Sequence, residues 1–234
     1  MFYTARVWPA QNARIPCSRL RLVGVLSAIL IALDALLPGE YGKAKQEWEE
    51  SMSEQSESGF ALRRVVTGES ETGRSRILID GPQAAEFRTG ELGGLFEIWT
   101  DATSGEIDTQ DDTDRGLGKP NLSPPKGAVK IRWFAIGPTP EGVPPETLRE
   151  VTRKAFIDMG AGDHQPDTSR HPAMHKTDTL DAIILVKGRV RLLLDDDETV
   201  IEPGDVVVQR ATNHAWVVEG NQPALFVAVL VDRS

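Results

Sequence analysis

The sequence predicts an all-β fold, a barrel or sandwich of short antiparallel strands, with one short helix after an N-terminal extension of strands. Three observations predict it. From residue 61 onward, β-branched and aromatic runs alternate with clusters of Gly, Pro, Asp and Asn. Between Leu180 and Val231 such runs come at close, regular spacing, and strands this regular need closure or a facing sheet to protect their edges. Only one stretch after Met52, Pro145 to Met159, carries helix signals at both ends: Pro-Pro at its start, helix formers through LREVTRKAF, and Gly160 just beyond.

The elements follow in order. Early strands are expected at Leu62 to Thr67, Arg76 to Asp80, Leu95 to Thr100 and Val129 to Ile136. Between the last two lies DATSGEIDTQDDTDRGLGKPNLSPPKG, polar and turn-rich, which reads as a flexible acidic surface loop or a lid. The later strands are Leu180 to Val186, Val190 to Leu194, Thr199 to Ile201, Asp205 to Gln209, His214 to Val218 and Leu225 to Val231, with Val206 to Val208 expected to be buried. The run Asp195-Asp196-Asp197-Glu198 reads as a solvated hairpin turn, since a calcium site spreads its oxygen ligands over a longer loop.

Composition narrows the function. The 234 residues are 40% hydrophobic, enough for a packed core, and carry a formal net charge of -9. An acidic chain disfavours nucleic acid, whose binders present a basic face, so a small molecule is the expected partner. The single cysteine, Cys17, precludes an intrachain disulfide and a cysteine-rich zinc motif. Any metal must be held by histidine, carboxylate or water.

Residues 1–51 form a separate segment. The apolar run LRLVGVLSAILIALDALL follows Arg14 and Arg19 and has Arg21 at its start, as in a secretory or anchoring signal. Asp34 interrupts it, and Met52 opens a polar leader running straight into the first strand, so a start at Met52 and a cytoplasmic location are preferred. The segment holds six Lys/Arg and five Asp/Glu, which leaves the acidic surplus in residues 52–234. No membrane association is expected of that part. It divides into 52–160, holding early strands, loop and helix, and 161–234, the barrel.

Chemistry concentrates near the C-terminus. His175, Thr177, Asp181, Ile183 and Leu185 share parity, so on one continuous strand they point to one face, polar at one end and apolar deeper in. In EPGDVVVQRATNHAW, a turn at Pro203-Gly204 precedes a strand and a bend at Ala211-Thr212 returns the chain at His214, with Trp216 on the same face. An imidazole near neutral pKa beside a carboxylate is a candidate acid/base unit. Trp99, Arg132 and Phe134 sit on strands that can line such a pocket, with Arg132 a candidate partner for a substrate carboxylate or phenolate. Gln209, Asn213 and Trp216 complete the candidate binding set; His164 reads as a surface histidine, and His171, four residues before His175, as a solvated loop histidine whose alternative is a third nitrogen ligand.

These residues resemble the cupin superfamily. Its first motif, G-x5-H-x-H-x3,4-E-x6-G, is similar to the run HKTDTLDAIILVKG from His175 to Gly188. There Asp181 takes the place of the glutamate, and His175 and Thr177 those of the two histidines. Its second motif is matched by Gly204 and His214, with Ala211 where a glycine is usual. RHPAMHKTDTLD and PGDVVVQRATNHAW look like a subfamily of small single-domain cupins in bacteria and fungal natural-product gene clusters. The resemblance implies a double-stranded β-helix (jelly-roll) barrel and a homodimer. It also implies one divalent ion, Fe, Mn, Ni or Zn, on His175, Asp181 and His214, or those residues as acid/base groups without metal. The reactions implied are decarboxylation, dehydration or cyclisation of an aromatic or polyketide-like metabolite. A non-catalytic small-molecule-binding cupin is the alternative.

Overall fold

In the computed structural model the described residues are 60, 62–90 and 93–234; the readings made for residues 1–51 lie outside them. Among the described residues eleven strands and one α-helix are formed: β1 Arg64–Glu69, β2 Ser75–Gly81, β3 Glu86–Arg88, β4 Gly93–Ala102, β5 Ala128–Ile136, α1 Pro145–Asp158, β6 Thr179–Lys187, β7 Val190–Leu194, β8 Glu198–Ile201, β9 Val206–Arg210, β10 His214–Val218 and β11 Ala224–Asp232. Every expected strand forms within two residues of its expected ends. The addition is β3, whose three residues are too few to show alternation.

β1 and β2 make a two-stranded ribbon. The rest fold into a six-stranded sheet, ordered β3-β4-β5-β11-β6-β9, and a three-stranded sheet, ordered β10-β7-β8. Their inner faces share one core: Ile183, Leu185, Phe226, Ala228 and Leu230 from the large sheet pack with Val190, Leu192, Ile201 and Trp216 from the small one. This is the jelly-roll arrangement of the double-stranded β-helix. Phe134 stacks on Phe226 at 4.3 Å between centroids, and Trp216 lies 5.3 Å from Phe226, so aromatics bridge the sheets.

The two outer faces differ in kind. On the small sheet, Arg191 pairs with Glu198 and Glu219, and Arg189 with Glu202 and Glu219. On the large sheet, register places apolar side chains side by side across four strands. One row runs Trp133, Val227, Ile184, Val206; the next runs Ile131, Val229, Ala182, Val208. Val206 and Val208 are 59% and 62% exposed. The expectation that Val206 to Val208 are buried is therefore corrected: β9 is an edge strand whose inward residues are Val207 and Gln209, and a run of three valines cannot show which parity faces in.

The acidic loop is pinned rather than free. Buried Arg64 grips the Asp114 carboxylate with both terminal nitrogens and donates to the carbonyls of Pro82 and Ile98. Arg115 ties Asp101 to Asp111; the Thr113 and Arg115 hydrogen bonds hold Asp111 down to about 2, and the Arg64 hydrogen bond lowers Asp114. At the Asp195–Asp197 turn, Arg170 donates to the carbonyls of Leu194, Asp195 and Asp197.

Gly188, the motif glycine at the β6–β7 turn, has φ +93, and a Cβ there would meet the Ala224 Cα at 2.8 Å. Gly220 has φ +95 with nothing within 4 Å. Both alanine substitutions carry left-handed strain, of order 1–2 kcal/mol, and only Gly188→Ala adds a clash with backbone. Thermal denaturation is expected to show Gly188→Ala losing several degrees more than Gly220→Ala; equal losses would mean that the β11 backbone yields.

Candidate functional site

The inner faces of the sheets enclose an apolar core at one end and a cavity of about 220 Å³ at the other. α1 closes its side. Leu148, Thr152, Ala155, Phe156 and Met159 all line it, a spacing of four, three, one and three that marks a single helical face. Phe156 also packs with Leu95, Met159 and Ala161.

His175 lies before β6, and the continuous strand expected from His175 to Leu185 is broken. Parity nevertheless holds: Thr177, Thr179, Asp181, Ile183 and Leu185 are all buried. His175 instead bridges to His214, the first residue of β10, each backbone N–H donating to the other's carbonyl at 2.9 Å. Their rings lie 4.2 Å apart between centroids. His175 Nδ1 sits 2.9 Å from the Ala173 carbonyl, and His214 Nδ1 sits 2.9 Å from that of Thr212. A carbonyl only accepts, so Nδ1 carries the proton in each ring and Nε2 keeps its lone pair. Phe156 stands 5.0 Å from His175, and Trp216 stands edge-on to His214 at 5.5 Å.

Enclosure sets the charges. Burial pushes His175 down to about 3, with His214 adding to the effect and the Ala173 carbonyl opposing it. His214 is lowered too, by burial against its Thr212 hydrogen bond. Both imidazoles are neutral at pH 7. Asp181, on the inner face of β6, is pushed up to about 6 by burial, against the pull of Thr179 and Arg132. Burial thus moves the Asp181 carboxyl up toward neutrality and the His175 and His214 imidazoles down away from it, which corrects the expectation for those two histidines.

Beneath these lies a buried charge cluster from β4 and β5. Arg132 is 1% exposed, with Nη2 2.9 Å from Glu97 Oε1 and donating to the Asn121 carbonyl. Lys130 donates to the carbonyls of Asn121 and Ser123, and burial lowers it to about 8. Glu97 is raised by burial against Arg132 and Lys130. The Asn121–Ser123 stretch of the acidic loop therefore supports the floor, and Leu122 reaches the cavity itself.

Of the residues singled out in the sequence, His175, His214, Asp181, Arg132, Phe134 and Trp216 line this cavity. Trp99 and Gln209 do not. A bulge between Glu97 and Trp99 resets the register, so Glu97 opposes Arg132 while Trp99 opposes outward-facing Ile131 and bonds Asp101. Gln209, though buried, turns its amide to Thr212 and braces the bend before β10. Asn213 likewise donates to Asp167 and Asp195. In that bend Ala211 has φ +50, the conformation the usual glycine would adopt. His171, read as solvated, lines the cavity, and burial lowers its pKa. His164, read as surface, is 3.0 Å from Ser123 Oγ. His171 stands four residues before His175, the one signal that might have placed it.

The three-ligand metal set His175, Asp181 and His214 is not assembled. Among the described residues no three His, Cys, Asp or Glu side chains come together as a metal site. The histidines stand at the edge of the small sheet and Asp181 on the large one, while Thr177, at the second histidine's place in the motif, spends its hydroxyl on Thr179 at 2.6 Å. Two imidazole Nε2 atoms alone do not make the closed or facial ligand sets of protein metal sites.

The family model described as Cupin domain matches residues 161–230. A cupin-domain-containing oxidoreductase, srdD, of Neurospora crassa is 38% identical over 96 residues, 39% of this chain and 45% of that protein. Another, fogC of Aspergillus ruber, is 35% identical over 81 residues, 33% of this chain and 36% of that protein. The matches to phomopsin biosynthesis cluster proteins of Diaporthe leptostromiformis are 43% identical over 44 residues, 18% of this chain and 23% of each protein. The chain spans less than half the length of these curated relatives. Among solved structures, an RmlC-like cupin with a double-stranded β-helix from Methanocaldococcus jannaschii is 14% identical, with a TM-score of 0.29 over 44% of this chain and 70% of that one. Residues 161–230, which supply strands to both facing sheets, are therefore similar to the cupin domain family.

Proposed function

We propose that this protein is a small-molecule enzyme that moves a proton at a carbon atom of a compact aromatic or polyketide-like metabolite. Decarboxylation, dehydration and cyclisation all contain such a step. The observation that carries the reading is Asp181: a carboxyl 4% exposed, opening on an apolar cavity, with Oδ1 unpartnered and its pKa raised to about 6. A general acid/base works best with a pKa near the working pH. Asp181 takes the proton from carbon and returns it. His175 and His214, neutral and fixed in one tautomer, accept hydrogen bonds at Nε2 from a substrate hydroxyl or enol and hold it in place. Phe134, Trp216 and Phe156 exclude water and grip the ring. No step is routed through a metal. The similarity to the Neurospora and Aspergillus oxidoreductases favours a second reading, an oxidoreductase, and a non-catalytic binder uses the same pocket without the proton step.

We also propose a homodimer, packed through the outer face of the large sheet. Its support is the contrast between the two outer faces: charged and paired on the small sheet, apolar in successive cross-strand rows on the large one. Apolar patches of that extent mark association surfaces. Among the described residues no helix is long and apolar enough to cross a membrane. A cytoplasmic location and the preferred start at Met52 remain proposals, resting on the acidic, polar character of residues 52–234.

Three measurements test these readings. Proton NMR in D₂O with aryl ketones such as α-tetralone is expected to show accelerated exchange beside the carbonyl, lowered about 10²–10⁴-fold in Asp181→Asn and weakened through substrate affinity in His214→Gln. Binding without exchange would leave the binder, and dioxygen uptake on turnover would leave the oxidoreductase. Stability against pH follows from the same group. The folded-state pKa of Asp181 lies above the unfolded value, so its contribution is fully present below about 3.8 and is lost as pH rises through about 6. Asp181→Asn is therefore expected to be at least as stable as wild type at pH 7.5, to lose about half of that advantage by pH 5 and the rest as pH approaches about 3.8 in thermal melts; a constant difference would mean an unshifted carboxyl. Light scattering is expected to give a dimer for the full chain and a folded monomer for Val208→Glu, whereas a monomeric wild type would overturn the assembly.

A further inference from the structure

The proton-transfer reading leaves one requirement unmet. As Asp181 takes a proton from carbon beside a carbonyl, negative charge gathers on the carbonyl oxygen, and a hydrogen-bond donor has to meet it. His175 and His214 cannot, because both present a lone pair at Nε2. Arg132 cannot either: Nη2 is held by Glu97 and the Asn121 carbonyl, and Nε and Nη1 are sealed from the cavity space.

The third histidine of the cavity has the opposite polarity. The Ala173 backbone N–H donates to His171 Nδ1 at 3.1 Å. A backbone N–H only donates, so Nδ1 keeps its lone pair and the proton of the neutral ring sits on Nε2. Burial, with the positive charge of Arg149 adding to it, lowers the pKa of His171, so the ring is neutral at pH 7.5. One residue thereby sets two opposite tautomers: the Ala173 N–H makes His171 a donor at Nε2, and the Ala173 carbonyl makes His175 an acceptor there. Among the described residues nothing else bonds the His171 ring.

His171 lines the cavity and, with Val217 and Val218, also the shallow groove outside it. It therefore stands in the wall between them, at one end of the enclosed space. Among the described residues it does not close with His175 and His214 into one ligand set, so donor and acceptors address different atoms of a ligand. The cavity thus asks for an oxygen that accepts at one end and a hydroxyl that donates at the other. A dione would set an oxygen against the lone pairs of His175 and His214. A diol has no carbonyl to acidify the C–H that Asp181 attacks.

We propose that His171 is a catalytic residue whose Nε2–H binds the carbonyl oxygen of a hydroxyl-bearing ketone or aldehyde, with the hydroxyl held by His175 and His214. The inference rests on the proton-transfer reading of the same pocket and names its substrate class. The α C–H bond breaks, the proton passes to the Asp181 carboxylate, and the electron pair moves into the enolate, whose oxygen His171 holds. Return of the proton to carbon reverses the step. A neutral imidazole N–H is suited to this work, since it stabilises the enolate without giving up its own proton.

Two measurements on the full chain at pH 7.5 test the assignment. Long-range proton–nitrogen NMR of the labelled histidines is expected to show the proton on Nε2 in His171 and on Nδ1 in His175 and His214; one shared tautomer would overturn the proposal without any variant. Calorimetric titration then compares 4-hydroxyacetophenone with 4-ethylphenol, which lacks the carbonyl, and acetophenone, which lacks the hydroxyl. The first is expected to bind about three- to tenfold more tightly than either, the measure of one neutral hydrogen bond. In His171→Phe the advantage over 4-ethylphenol should vanish while that over acetophenone stays. Exchange of the methyl protons of 4-hydroxyacetophenone in D₂O should fall about 10²–10³-fold in the same variant. His171→Gln, which keeps an N–H donor, is expected to restore part of both and serves if His171→Phe does not fold. A carbonyl advantage and an exchange rate unchanged in His171→Phe would give the donor role to the Thr152 hydroxyl or the Trp216 indole and overturn the proposal, leaving the proton-transfer reading standing. Failure of all three compounds to bind would overturn both.

Discussion

The two-way backbone bridge between His175 and His214 is the contact on which the pocket depends. It fastens the segment before β6 to the free edge of the small sheet, at the point where the two sheets diverge. One pair of peptide hydrogen bonds thereby fixes the separation of two imidazoles carried on different elements. The Ala173 and Thr212 carbonyls then fix their tautomers. Nothing in this arrangement needs a bound ion to hold it, since backbone and packing set each ring, and α1 completes the enclosure by pressing Phe156 against His175.

That enclosure also decides which group titrates. Desolvation disfavours charge on any group, so it drives imidazoles down and carboxyls up, and one apolar cavity moves the two types in opposite directions. The result is a pocket whose histidines are neutral and whose aspartate is poised near neutrality. Beneath it, β5 turns Lys130 and Arg132 inward and Ile131 and Trp133 outward, the reverse of the usual pattern of a sheet with one wet face. The reversal puts charge under the cavity and apolar surface on the outside.

Much of this was legible in the sequence, for definite reasons. Strands announce themselves through β-branched runs bounded by Gly, Pro and Asp, and the parity from Thr177 to Leu185 survived even though the strand was interrupted. Helix α1 was marked by its ends, but its role was not: Thr152 and Ala155 are too unlike a hydrophobic stripe to show which face lines a cavity. Val206 to Val208 could not reveal that β9 lies at an edge, since edge position is a property of topology. The ionisation of His175 depends on atoms from α1 and β10 that are distant in the chain, and no local pattern encodes it.

The bulge at Ile98 carries one more consequence. Because side chains alternate along a strand, a single extra residue exchanges every position beyond it between the inner and outer faces. Trp99 lies outside for this reason alone. Straightening β4 with Ile98 retained would bring the indole opposite Lys130, whereas deleting Ile98 would leave it opposite Ile131, so the side that Trp99 occupies is set by the bulge and not by the count of residues alone.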